Sequence, residues 1–310
     1  LQPDAIGGTL SIAQRQTVEI LKALSEDSSL IIMDEPTASL SSKESEALFG
    51  IINQLREKGV SILYISHRLE ELDEICDYLT VMRDGCFIKK AKVGEITRNE
   101  IIYSMVGREI TDIYPKETAE IGNNILRVED INNDSVHHIS FHLKRGEILG
   151  FAGLVGAGRT EVARALFGMD AISSGNIYLE EKKLNIKSPK DAVDNGIMMV
   201  SEDRRKFGLV TKRDVMENIM LPNYGRVKRG LFLKHKKERE ITADMIEKLR
   251  IKTSGQNTET ASLSGGNQQK IVIGKWLVSE PKIFILDEPT RGIDVGAKAE
   301  IYKLMCEFAK

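Results

Sequence analysis

Cysteine is scarce in this 310-residue chain: Cys76, Cys86 and Cys306 are scattered without ligand-like spacing. So sparse and odd a count argues against a disulfide framework or a structural zinc site, and suits a reducing compartment. An excess of charge of one sign is lacking too. Forty-four Lys and Arg against 46 Asp and Glu leave a net charge of −2, which excludes a general nucleic-acid or anionic-membrane footprint. Long hydrophobic runs are missing: the longest, such as Ile148 to Val155, fall far short of the roughly 18 residues of a membrane-spanning helix. No signal-peptide pattern stands at the start and no stretch is of low complexity. Leu1 in place of Met, and an unfinished amphipathic pattern at the end (Ile301, Leu304, Met305, Phe308), predict a piece cut at both ends. The length corresponds to about two domains.

What is present is a repeat. Leu10 to Thr37, LSIAQRQTVEILKALSEDSSLIIMDEPT, realigns without a gap on Leu263 to Thr290, LSGGNQQKIVIGKWLVSEPKIFILDEPT, at a constant offset of 253. A period this long predicts a duplicated domain rather than a solenoid. In each copy a helical pattern is followed by a short apolar run read as a buried parallel strand, Leu30 to Met33 and Ile283 to Leu286, ending in Asp-Glu and stopped by proline.

Around the first copy, the pattern predicts a helix over 42–58 with Ser42 as its N-cap, and a buried strand over 60–65. His67 then opens a helix, and a hairpin turns at Asp84-Gly85. A last helix covers 98–106, and a linker runs from Gly107 to Asn124. Around the second, 125–131 and 136–143 read as an antiparallel pair, 147–152 as a strand, and 161–167 as a helix. Strands follow over 175–179 and 196–200, then a helical pattern from about 214 to 249.

The chemistry concentrates in a few stretches. GLVGAGRT, Gly153 to Thr160, places Gly153, Gly156 and Gly158 where backbone N–H groups could wrap phosphate oxygens, with Ala157 between them. The helix opening behind them adds about half a positive charge from its dipole. Paired carboxylates end both strands, Asp34 with Glu35 and Asp287 with Glu288. Such a pair can divide labour, one member holding a divalent cation and the other polarising water. Ser264, Gly265 and Gly266 open a helix with a hydroxyl and unhindered N–H groups. The first copy carries Ile12 and Ala13 at the two glycine positions. Arg226 to Glu240 is a basic cluster, read as a solvated helix face with an acidic partner surface as the alternative.

Together LSGGN, the strand closing in DE, GID, and GLVGAGRT resemble the signature, Walker B, D-loop and phosphate loop of ABC-type ATPases. The resemblance implies an α/β P-loop NTPase fold, in three layers with a mostly parallel sheet, an antiparallel β subdomain and a helical subdomain, here in tandem. The C-terminal part of a first ATPase domain is expected over 1–115, and a second, truncated at its C-terminal end, over 116–310. The ligands implied are ATP and Mg²⁺, the metal held by Thr160 and Asp287 in one site and Asp34 in the other. Glu35 and Glu288 take the catalytic role, with His67 as the switch histidine. Arg159 stands where the family pattern has Lys, a broad fork in place of a compact ammonium. Glu202 stands where the family has glutamine. No Phe, Tyr or Trp lies between Tyr114 and Phe141 to stack on adenine, which leaves His137 or His138.

In such ATPases each nucleotide is sandwiched between one domain's phosphate loop and the other's signature. The chain then holds halves of two unequal sites: Gly153–Thr160, Asp287 and Glu288 with LSIAQ, and Asp34, Glu35 and His67 with LSGGN. LSIAQRQ, ISHRLEE, MVGRE, SEDRR and LSGGNQQK further resemble the ATPase subunit of bacterial monosaccharide importers of the ribose, galactoside and xylose type. That implies a peripheral protein on the cytoplasmic face of the plasma (inner) membrane. Its implied partners are a permease homodimer and, indirectly, a periplasmic or extracellular sugar-binding protein, with no nucleic acid. The alternatives are a soluble tandem ABC ATPase acting on ribosomes or DNA, and a nucleotide-binding regulatory module without hydrolysis.

Overall fold

The structure, a computed structural model, describes all residues but 1, 11, 27, 38, 39, 84, 108–115, 155, 230 and 231, and gives no side-chain surroundings for 12, 13, 24 and 229. The chain divides into two compact units, Leu1–Thr111 and Asp112–Lys310.

In the first unit, helix α1 (Ile12–Leu24) precedes β1 (Leu30–Asp34), α2 (Ser42–Glu57) and β2 (Ser61–Ile65). β1 and β2 pair in parallel, with Leu30 opposite Ser61 and Asp34 opposite Ile65. The N-cap of α2 is Ser41, one residue earlier than expected. Its hydroxyl accepts from the Glu44 N–H while the Glu44 carboxylate accepts from the Ser41 N–H at 2.8 Å, a reciprocal capping box. The strands are not buried on both faces: Ile31 and Met33 are covered, but Leu30, Ile32, Leu63 and Ile65 are exposed. The covered face joins Leu48, Phe49, Ile52 and Ile75 in a single core. Each such side chain contributes about 1.5–3 kcal/mol when fully buried. α3 (Leu69–Ile75), the antiparallel hairpin β3 (Tyr78–Arg83) and β4 (Cys86–Lys92), and α4 (Arg98–Val106) complete the unit. The hairpin turns through Gly85 at φ +78°. Its partner in the turn motif, Asp84, lies outside the described residues, as do residues 108–115 of the linker.

The second unit opens with β5 (Asn124–Asn132) and β6 (Ile139–Lys144), then α5 (Arg159–Leu166), β7 (Ser174–Leu179) and β8 (Lys182–Leu184). These strands form an antiparallel sheet in the order β6-β5-β7-β8. α6 (Pro189–Asp194) leads to β9 (Ile197–Val200), which pairs in parallel with β12 (Ile283–Leu286). Residues 147–152 are not the strand expected. They join no ladder, and Ile148, Leu149 and Phe151 remain exposed; an apolar run becomes a strand only where a neighbour takes up its backbone groups.

The continuous helical pattern expected from 214 to 249 is also interrupted. α7 (Val215–Met220) and α8 (Tyr224–Val227) are short, and β10 (Lys228–Arg229) with β11 (Phe232–Leu233) makes a small hairpin before α9 (His235–Lys248). Pro222 and Gly225 carry the lowest helix propensities and account for the break. The basic cluster therefore spans this hairpin and the start of α9 rather than one helix face. α10 (Gly265–Leu277) and α11 (Val295–Ala309) follow.

Two cores fill this unit. One lies under the antiparallel sheet, with Val128, Ile177, Val162 and Ala192. The other gathers Ile219, Leu249, Ile271, Ile273 and Ile301 from the helices. Trp276 packs against both. None of the described helices is long and apolar enough to cross a membrane.

The repeat is visible residue by residue. α1 and α10 begin and end at positions 253 apart, and so do the caps Ser41 of α2 and Asp294 of α11.

Candidate functional site

In the second unit the glycine-rich stretch turns sharply into α5. Gly156 and Gly158 take φ of +82° and +89°, angles at which a side chain would be strained. A Cβ on Gly153 would stand 2.9 Å from that of Ala157. The Ala157 N–H turns back onto the Leu154 carbonyl at 3.1 Å, and Gly158 is the N-cap of α5 without a side-chain partner of its own. The first N–H groups of an eight-residue helix are thus left for an anion.

Behind the loop, the Asp287 N–H donates to the Val200 carbonyl at 2.9 Å, extending the β9–β12 pairing by one bond. Burial raises the Asp287 pKa, the neighbouring Thr160 hydroxyl lowers it, and Glu288 raises it again. Its Oδ2 is buried without a hydrogen-bond partner. A hydroxyl beside a carboxylate with an unmet oxygen is a donor set suited to a hard cation that keeps waters and phosphate oxygens as its remaining ligands. Among the described residues no cluster of three or more His, Cys, Asp or Glu is placed to hold a metal without such help. Arg159 Nη2 lies 3.3 Å from Glu288 Oε1.

Glu202 does not point into open space. It pairs with Arg291, in the loop after the two carboxylates. Arg204, opening a short π-turn over Arg204–Gly208, donates to the carbonyls of Arg291 at 2.9 Å and Gly292 at 3.1 Å. Gly265 packs against the same guanidinium: a Cβ there would meet Arg204 Nη2 at 2.6 Å and the Gly292 carbonyl at 2.9 Å. Gly266 packs as tightly, 2.6 Å from the Ala297 methyl by the same measure. Ser264 is the N-cap of α10, and its Oγ accepts from Asn267 at 2.9 Å. The glycines of LSGGN thus let three segments meet: 202–205, the opening of α10, and the loop at 288–292.

In the first unit, Glu35 Oε1 lies 2.7 Å from His67 Nδ1 and accepts from the His67 N–H at 3.2 Å. The Glu35 N–H donates to Ile65, at the end of β2. Glu35 Oε2 is buried without a partner, while Asp34, the last residue of β1, is exposed. Glu35 and Glu288 share a backbone conformation rare for any residue but glycine, with φ of +48° and +46°.

Residues 136–291, half of the chain, match the sequence profile of the ABC transporter family. The chain belongs to the ABC transporter family. Among its curated relatives, the ribose import ATP-binding protein RbsA of Bacillus licheniformis is 48% identical over 302 residues, covering 97% of this chain and 61% of the relative. The Bacillus subtilis protein of that name is 46% identical over 311 residues, covering 100% and 63%. The chain spans about three-fifths of the length of these relatives. A nucleotide-free ATP-binding cassette from an ABC transporter shares the fold at a TM-score of 0.51 and 22% identity, covering 60% of this chain and 77% of that one. A component of an ABC transporter complex from Clostridium perfringens gives 0.50 at 27% identity, covering 60% and 74%.

For this ABC transporter chain, the sequence-based expectations for adenine contact rest on exposed residues. His137 and His138 are both exposed, and His138, at φ +55°, is 2.8 Å from Asp130. Tyr114 and Ser11 lie outside the described residues, as do the side-chain surroundings of Ile12 and Ala13. Sequence reasoning missed Arg204, Arg291 and Glu71. The signal for Glu71 was available: it stands four residues before Ile75 on the buried face of α3.

Proposed function

We propose that this chain is part of the ATP-hydrolysing, energy-coupling subunit of an importer for monosaccharides, with each unit contributing to one of two tandem ATPase domains whose boundary along the chain falls near residue 115. The observation that carries the reading is the loop Gly153–Thr160, which brings a hydroxyl to Asp287 and a guanidinium to Glu288 at the mouth of a helix. The names of the relatives, ribose import ATP-binding proteins, support the transport role. The partners proposed are a membrane permease homodimer and, through it, an extracellular or periplasmic sugar-binding protein, with the subunit at the cytoplasmic face.

ATP would lie with its phosphates on the N–H groups of Gly156 to Thr160 and on Arg159. Thr160 and Asp287 would hold Mg²⁺, which when bound supplies charge neutralisation of the phosphates. Glu288, and Glu35 in the first unit, would accept the proton of an attacking water. His67, held by Glu35, would meet a γ-phosphate. In this reading Glu202 belongs, through Arg291, to the surroundings of the nucleotide at Gly156 to Thr160, while Ser264, Gly265 and Gly266 would, by the resemblance, belong to the nucleotide of the Asp34 and Glu35 site.

Titration with a fluorescent ATP analogue and Mg²⁺ tests the reading. Arg159→Ala is expected to weaken binding about tenfold or more, the loss of one charge-assisted contact. Unchanged affinity in Arg159→Ala would mean that the loop is not the phosphate site. A second reading, binding without turnover at this loop, is favoured by the ion pair that occupies Glu288. Steady-state hydrolysis abolished by Glu288→Gln would exclude it.

A further inference from the structure

One buried carboxylate has no part in the chemistry above. Glu71, in the first turn of α3, is 4% exposed. Thr37 Oγ1 donates to its Oε1 at 2.6 Å, and Tyr64 Oη and Ser66 Oγ donate to its Oε2 at 2.8 and 3.2 Å. The Arg68 guanidinium pairs with Oε1 at 2.7 Å. A carboxylate this buried is tolerated only where donors meet its charge, and here both oxygens are met twice. Burial and the Glu71 carboxylate together push the Tyr64 phenol above its ordinary range, so its hydroxyl keeps its proton and remains a donor.

The donors are not scattered. Ser66 and Arg68 flank His67, and the Arg68 N–H closes onto Ser66 Oγ at 3.0 Å. Thr37 follows Glu35 by two residues, in the loop after β1. Tyr64 lies in β2, whose last residue accepts the Glu35 N–H. One carboxylate therefore grips both loops, one on each side of the 2.7 Å contact between His67 and Glu35.

We propose that Glu71 is a positioning residue: by holding Thr37, Ser66 and Arg68 together it fixes His67 against Glu35. Its consequence for turnover rests on the ATPase reading given above, whereas the positioning itself does not. Buried hydrogen-bonded networks hold geometry more tightly than their separate bonds suggest. Misplacing a catalytic contact by about 1 Å can cost on the order of a hundredfold in rate.

His67 is the one histidine of the first unit, among five in the chain. In the ¹⁵N-histidine-labelled chain, the resonance missing from His67→Asn assigns its ring. The expected result is a His67 Nδ1 proton protected from exchange in the parent and broadened away in Glu71→Gln, with cooperative melting retained. Thr37→Val and Ser66→Ala remove one donor each and should weaken the same signal. If Glu71→Gln does not melt cooperatively, these two decide the question. In the full subunit, Glu71→Gln should lower kcat about tenfold with KM within about twofold, because the contact acts on the reacting geometry and not on ground-state binding. A protected His67 signal persisting in folded Glu71→Gln, or in both donor variants, overturns the proposal. Loss of the signal in a protein whose parent shows no ATP turnover would fail the ATPase reading and leave the positioning role standing.

Discussion

Asp287 is placed where its own ionisation costs the fold something. Burial comes first among the causes that raise its pKa, and Glu288 adds to it, while Thr160 and Arg159 act in the other direction. A carboxylate held above its ordinary value binds its proton more readily folded than unfolded. Stability is therefore lost as pH rises from the unfolded pKa, about 3.9, through the raised folded one, and the cost is full at neutral pH. Asp287→Asn removes that cost and keeps an oxygen for Thr160. Its melting temperature at pH 7 should rise by about 1–3 °C in the absence of nucleotide, and the difference from the parent should shrink as pH falls below the folded pKa. Mg²⁺-dependent nucleotide binding should be lost in the same variant. Equal melting curves at pH 7 would contradict the cost assigned to this carboxylate.

At the scale of elements, α10 carries two features that bind it to its neighbours. Lys275 is buried, its ammonium donating to the Gly208 carbonyl at the end of the π-turn, and burial pushes its pKa down to about 8. An amine held low costs stability while charged, so the folded chain gains relative stability as pH rises from about 8 toward the ordinary lysine value near 10.4. Lys275→Met, which has no such titration, provides the comparison. Thermal melts at pH 7 and pH 9.5 should show the parent gaining on the variant at the higher pH. Gly266 is the second feature. With an Ala297 methyl 2.6 Å from any added Cβ, Gly266→Ala must push α10 from α11. The expected loss is about 1–3 kcal/mol by denaturant unfolding, whereas a neutral result would show that the contact yields freely.

The same elements show what a sequence discloses. α10 was legible because Gly265 and Gly266 open it and an apolar face continues it. The parallel strands were legible as apolar runs ending in Asp-Glu, but their exposed face was not, since Leu30 and Ile32 read the same whether or not something covers them. The hairpin within 228–233 escaped because its flanking helices keep the helical pattern on either side. Arg204 escaped for another reason: its partners are main-chain carbonyls some 87 and 88 residues away, and carbonyls leave no trace in residue type.

For the whole molecule, the duplication was legible and so was its inequality. Arg159 stands where, on the family pattern it resembles, a phosphate loop would carry lysine, and Ile12 and Ala13 stand where the second copy has glycines. By the resemblance, Glu35 works with the intact LSGGN and Glu288 with LSIAQ. On the proposed transport role, Glu35→Gln in the full subunit is expected to reduce sugar uptake more than Glu288→Gln does, by about tenfold or more. Uptake assays on the two variants in matched membranes check it, and equal losses would refute the inequality.

The backbone at Glu35 and Glu288 adds a consequence of another kind. Both residues hold a left-handed φ that glycine adopts freely and glutamate does not, at a cost on the order of 1 kcal/mol or more apiece. A library of variants sorted only for resistance to heat should accordingly drift to glycine at 35 and 288. The hardiest survivors of such a screen would be those that had discarded both carboxylates, so for this protein durability alone is a misleading guide to competence.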